Sequence, residues 1–128
     1  TTTARLPLLG LIAAGEPIEA LENPEMVDVP VSLLHPDHYV LQVKGDSMID
    51  EQIHDKDYIV ARKTNTARSG QIVVALINGE ATLKYYVQGP GGVELHPRNP
   101  DFPIIKVDPK DDFHINGVLL YSFRNYLN

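Results

Sequence analysis

The sequence predicts a mostly β domain of short antiparallel strands joined by hairpins. Three observations carry this reading. Ten prolines and nine glycines punctuate 128 residues, a density that favours many short strands over long helices. No window keeps an apolar stripe at helical spacing for more than about one or two turns. Asn78-Gly79 separates two β-prone runs, residues 71–77 and 80–87, and Asn-Gly accommodates the positive φ angles of a type I′ hairpin turn. A composition of 43% apolar and 22% charged residues fits one packed domain and not a disordered tail.

The elements follow in order. Residues 1–7 are polar and expected to be loose. Leu8-Leu9-Gly10-Leu11-Ile12-Ala13-Ala14-Gly15 is apolar and small, able to lie extended against a sheet edge as an added strand, and Glu16-Pro17 breaks it. Residues 18–30, with several acids and two prolines, read as an irregular connection. Residues 39–43 form a strand that Gly45-Asp46-Ser47-Met48 interrupts. A second strand, 58–61, is entered through the turn-like His54-Asp55-Lys56-Asp57. The hairpin over 71–87 follows, then a turn at 88–92 and short strands at 93–95 and 104–107. Residues 113–123 supply one or two closing strands with a kink at Asn116-Gly117.

Composition excludes several classes of function. No apolar run approaches the ~18–20 residues needed to cross a bilayer, and the N-terminal residues show no signal-peptide pattern. With no cysteine there are no disulfides, thiolate metal sites or cysteine nucleophile, which fits a reducing, cytoplasmic location. The net charge of −6 makes this chain a poor wrapper of nucleic acid by itself. His35, His38, His54, His96 and His114 show no zinc-type spacing, so neither a metal nor a cofactor is expected.

Three local signals bear on chemistry. Ser47 stands two residues after Gly45 at a strand end, where a tight turn can expose a hydroxyl beside free backbone N–H groups able to hold an oxyanion; read alone, it is also an ordinary turn serine. Lys84 lies in a strand whose two faces, Thr82-Lys84-Tyr86 and Ala81-Leu83-Tyr85-Val87, are both largely apolar. Burial there would lower its pKa and make it a base, whereas a strand lysine can also snorkel to water. Ala13-Ala14-Gly15 offers a peptide bond with little steric shielding, or a plain flexible linker.

In combination and in this order, the three resemble the C-terminal autoproteolytic Ser/Lys (peptidase S24) domain of LexA-type SOS repressors, a family that includes UmuD-like proteins and lambdoid phage repressors. The matching stretches are Ile12-Ala13-Ala14-Gly15-Glu16-Pro17, Val43-Lys44-Gly45-Asp46-Ser47-Met48 and Ala81-Thr82-Leu83-Lys84. Further likeness runs through 57–64, 70–75 and 93–97. The resemblance implies a compact, highly twisted β fold like that of signal peptidases, with a mobile N-terminal cleavage loop. It implies Ser47 as nucleophile, Lys84 as base, Ala14-Gly15 as the bond cut, and the backbone N–H groups of Asp46 and Ser47 as oxyanion donors. RecA polymerised on single-stranded DNA is the implied co-protease, a second copy the implied dimer partner, and operator DNA the target of a winged helix-turn-helix domain absent from this chain. Residues 1–11 would then be the remnant of an interdomain linker and 12–128 the self-cleaving and dimerisation domain. A UmuD-like polymerase accessory protein and a non-catalytic dimerisation module are the alternatives. A signal peptidase shares the Ser/Lys chemistry but needs a membrane anchor.

Overall fold

The computed structural model describes residues 3–20 and 25–126. Within them lie ten strands: β1 (Thr3–Ala13), β2 (Glu19–Ala20), β3 (Met26–Pro30), β4 (His38–Lys44), β5 (Tyr58–Lys63), β6 (Ile72–Ile77), β7 (Glu80–Gly89), β8 (Gly92–His96), β9 (Ile105–Lys106) and β10 (Phe113–Phe123). The only helical pieces among the described residues are single 3₁₀ turns at Val31–Leu33 and Ile49–Glu51. The sheet runs β2-β1-β4-β5-β10-β6-β7-β8-β9, with β3 paired to the first half of β1. The mostly β expectation holds. The sheet is mixed, not purely antiparallel, because β1 runs parallel to β4.

The hairpin forms where the sequence places it. Asn78 and Gly79 take φ of 52° and 84°, both positive as a type I′ turn requires. The Asn78 side chain also donates to Asp111 Oδ1 at 2.9 Å and accepts the Asp112 N–H at 2.9 Å, which ties the turn to the start of β10. The kink in β10 is a bulge: its pairing with β6 shifts register between Ile115 and Gly117. Only glycine fits at 117, since a Cβ there would collide with the Tyr39 hydroxyl and stand 2.9 Å from the Arg62 carbonyl oxygen.

Two expectations fail. Residues 3–7 are not loose. They are the first half of β1, in which Leu6, Leu8, Gly10 and Ile12 alternate inward at period two. Leu6 and Leu8 pack with Val29, Val40 and Val60, while the apolar Leu9 and Leu11 on the other face blur the alternation in the sequence. Nor is 18–30 wholly irregular, since it holds β2 and β3. β3 pairs only with β1, and an edge strand tolerates the proline at its last position. Residues 1–2 and 21–24 lie outside the described residues.

The end of the chain is anchored to the loop before β5. Asp57 is buried, and Arg124, just past β10, reaches it with Nε to Oδ1 at 2.6 Å and Nη2 to Oδ2 at 3.0 Å. The His54 backbone N–H donates to Oδ2 at 2.8 Å. Burial alone would push the Asp57 carboxyl up. The Arg124 and His54 hydrogen bonds and the attraction of Arg124 outweigh it and hold the pKa below the usual carboxylate range. Removing Arg124 leaves that buried carboxylate with the His54 N–H alone. Arg124→Ala is expected to lower stability in urea unfolding at pH 7. A depressed carboxyl stabilises the fold above its unfolded pKa, so the difference between the two proteins should close as pH falls through the folded pKa of Asp57.

Candidate active site

Ser47 is delivered by the loop that ends β4. Gly45 turns the chain with φ of 96°, in the left-handed region, and its N–H is fixed by Asp55 Oδ1 at 2.7 Å. Met48 plugs the loop into the main core beside Leu41 and Ile53. The loop's carbonyls are held from across the sheet: Arg98 N–H donates to Ser47 O at 2.9 Å, and Asn99 Nδ2 to Asp46 O at 2.9 Å. Ser47 itself is half-buried. No acceptor among the described residues takes the backbone N–H of Asp46 or Ser47.

Lys84 lies in the middle of β7, paired with Val73 of β6. At 1% exposure it is the largest of the fully buried side chains among the described residues. Its head does not snorkel. Nζ donates to Thr82 Oγ1 at 2.6 Å, to Ser47 Oγ at 3.1 Å and to Leu83 O at 3.3 Å, so all three ammonium protons are satisfied. Among the described residues neither an aspartate nor a glutamate forms an ion pair with it. Desolvation therefore acts unopposed and lowers its pKa to about 8.

Ala14 and Gly15 reach the same place from β1. The parallel register sets Ile12 opposite Val43 and Ala13 opposite Lys44. The chain then turns at Ala14-Gly15, with Gly15 at φ 77° and Glu16 N–H bonded to Ala13 O at 3.3 Å. Glu16 O receives the Ala81 N–H at 2.6 Å, joining the segment to β7. Ala13, Ala14, Glu16, Asp46, Ser47 and Phe102 line one cleft of about 250 Å³. The structure thus bonds Ser47 to Lys84 and sets Ala14 in one cleft with Asp46 and Ser47, while Gly15 lines a neighbouring hollow beside Glu80, Ala81 and Thr82.

Two parts escaped the sequence reading. Thr82, the closest partner of the Lys84 amine, was legible only as a same-face neighbour two residues away. The loop 97–103 carried no signal, because its link to Ser47 is purely tertiary. Arg98 lies 3.8 Å over the Tyr85 ring, whose hydroxyl bonds Glu51. Among the described residues no group of acidic or histidine side chains is arranged to hold a metal ion, and no helix is long and apolar enough to cross a membrane.

An all-β frame that presses a loop serine against a desolvated lysine defines a serine peptidase-type protein. Residues 7–120 match the family described as Peptidase S24-like, and the chain belongs to that family. It is also similar to LexA repressors: 48% identical over 124 residues to that of Syntrophotalea carbinolica, 48% over 123 to that of Erythrobacter litoralis, and 48% over 126 to that of Pseudothermotoga lettingae. These alignments cover 95%, 94% and 95% of this chain but only 61%, 52% and 62% of the relatives. The matches support the LexA-type domain that the three motifs resemble.

Holding Lys84 in the core has a cost that can be measured. Its folded pKa of about 8 lies below the ordinary 10.5, so below pH 8 the buried ammonium opposes folding by about 3 kcal/mol. In a Ser47→Ala background, Lys84→Met is expected to raise stability to urea by up to that amount at pH 7. Lysine in the folded state sheds its proton first, so the gain should shrink between pH 8 and 10.5.

Proposed function

We propose that this chain is the self-cleaving domain of a LexA-type repressor of the SOS response to DNA damage, and that it cuts its own Ala14-Gly15 bond. The observation that carries this is the 3.1 Å hydrogen bond from Lys84 Nζ to Ser47 Oγ, in a cleft shared with Ala14.

The chemistry follows from the donor count. A neutral amine has two N–H bonds and one lone pair. Thr82 Oγ1 and Leu83 O take the two N–H bonds, which leaves the lone pair for the Ser47 hydroxyl proton. Ser47 Oγ attacks the Ala14 carbonyl carbon as its proton passes to Lys84 Nζ. The oxyanion so formed is held by the free N–H groups of Asp46 and Ser47. When the tetrahedral centre collapses, the bond to the Gly15 nitrogen breaks, and that nitrogen takes the proton from Lys84. Water then hydrolyses the Ser47 ester. The scissile bond is part of the same chain, so its effective concentration is high.

Control belongs to the cleavage segment. Docked, it helps to keep water from Lys84. Undocked, it would leave the lysine charged and the bond out of reach. A RecA filament on single-stranded DNA fits as the partner that favours the docked pose. Gly10 and Gly15, with Pro7 and Pro17 outside them, bound the segment that moves. Operator DNA would be read by a separate N-terminal domain of the repressor, and the cytoplasm is where these partners meet.

Dimerisation is supported by β10. Residues 119–123 pair with β5, while β10 meets β6 only through residue 118. One edge of this last stretch is therefore open, and Leu120 and Tyr121 are exposed on it. A second copy can add there about a two-fold axis.

Self-cleavage should accelerate with pH, because the active form of Lys84 is neutral. With a pKa of about 8, the rate should rise close to tenfold per unit below pH 7 and level off above about pH 9. Intact-mass analysis of the purified chain across that range should show fragments 1–14 and 15–128. Ser47→Ala and Lys84→Ala should abolish both; persistence of the fragments in either variant would overturn the assignment.

A further inference from the structure

We infer that Asn99 is a positioning residue for the proposed self-cleavage, acting by holding the Asp46–Ser47 peptide so that its N–H faces the developing oxyanion. The inference rests on the Ser47/Lys84 reading and concerns a residue which that reading leaves without a role.

The argument begins with peptide planarity. The Asp46 carbonyl and the Ser47 N–H belong to one rigid unit and point in opposite directions. Whatever grips the carbonyl therefore aims the N–H. Two donors grip it: Ile49 N–H at 3.2 Å, from within the same turn, and Asn99 Nδ2 at 2.9 Å, from a loop 53 residues away in sequence. The turn bond is the longer of the two and moves with the loop. Asn99 supplies the outside reference.

Its amide orientation is fixed by its own neighbours. Asp101 N–H donates to Asn99 Oδ1 at 2.9 Å, so Nδ2 is the end that faces Asp46. Phe102 N–H donates to the Asn99 carbonyl at 3.1 Å, closing a turn whose Phe102 side chain lines the cleft. Arg98 completes the clamp, with its N–H on Ser47 O at 2.9 Å and its carbonyl on Asp50 N–H at 2.7 Å. Its guanidinium rests on Tyr85, next to Lys84 in β7. Nucleophile loop, oxyanion peptide and base strand are thus referenced to one short segment.

The test is the pH profile of self-cleavage in the full chain. Asn99→Asp is the informative variant. It keeps the oxygen that takes the Asp101 N–H, and with it the turn, but replaces the donor facing Asp46 by an acceptor. Asn99→Ala removes both. Losing an oxyanion donor outright costs about 10²–10³ in rate, so misaiming one should lower the plateau rate at least about tenfold in both variants, with Asp at least as slow as Ala. The midpoint should stay where the unsubstituted chain has it, because Asn99 does not touch Lys84. An unchanged plateau in a folded Asn99→Asp protein would overturn the inference. So would a loss explained wholly by a shifted midpoint, which would mean that Asn99 only seals the core around the lysine. If the unsubstituted chain releases no 15–128 fragment, the self-cleavage reading falls and takes this one with it.

Discussion

The desolvation of Lys84 is the constraint around which the domain is arranged. A lysine at the centre of a strand must be covered on both faces, and β7 is covered by two separate clusters. Ala81 and Leu83 belong to one, and Tyr86 to the other. No carboxylate is placed to relieve the charge. The three acceptors around Nζ are two hydroxyls and one carbonyl, enough to satisfy its geometry but too weakly polar to restore what water would give. The result is an amine with a pKa lowered to about 8 by burial alone.

That constraint explains features with no chemistry of their own. The Met48 side chain seals the loop that brings Ser47 to the amine. The Glu16–Ala81 bridge fastens the turn after β1 to the very strand that carries the lysine. Asp57 and Arg124 show the opposite solution to a buried charge. There a full counter-ion and a backbone N–H hold a carboxyl below its usual range. One site holds its charge firmly, whereas the other holds it loosely.

How much was legible in the sequence depended on range. The Asn78-Gly79 turn, the strands around it and the apolar strand that carries Lys84 were readable because two-residue periodicity and turn chemistry are local. Ser47, Lys84 and Ala14-Gly15 were readable as a set only through their order and the family resemblance, since nothing local brings 47 and 84 together. Residues 3–7 were misread because leucines on both faces of β1 hide the alternation. β3 was misread because a short edge strand ending in proline looks like a loop. Asn99 and Arg98 left no trace at all: their contacts with the Ser47 loop are made by a segment some fifty residues away.

The parallel pairing of β1 with β4 has a consequence for where the Ala13-Ala14-Gly15 segment sits. Ala13, Ala14 and Gly15 offer almost no side chain to recognise. What brings Ala14 into the cleft that Ser47 lines is the count along the strand, fixed by Ile12 against Val43 and Ala13 against Lys44. Because the side-chain period is two, a slip of one residue would turn Leu8 and Ile12 out of the core. The sheet therefore works as a ruler. It sets how far along the backbone the Ala13-Ala14 segment reaches, and the buried leucine and isoleucine keep the ruler from sliding.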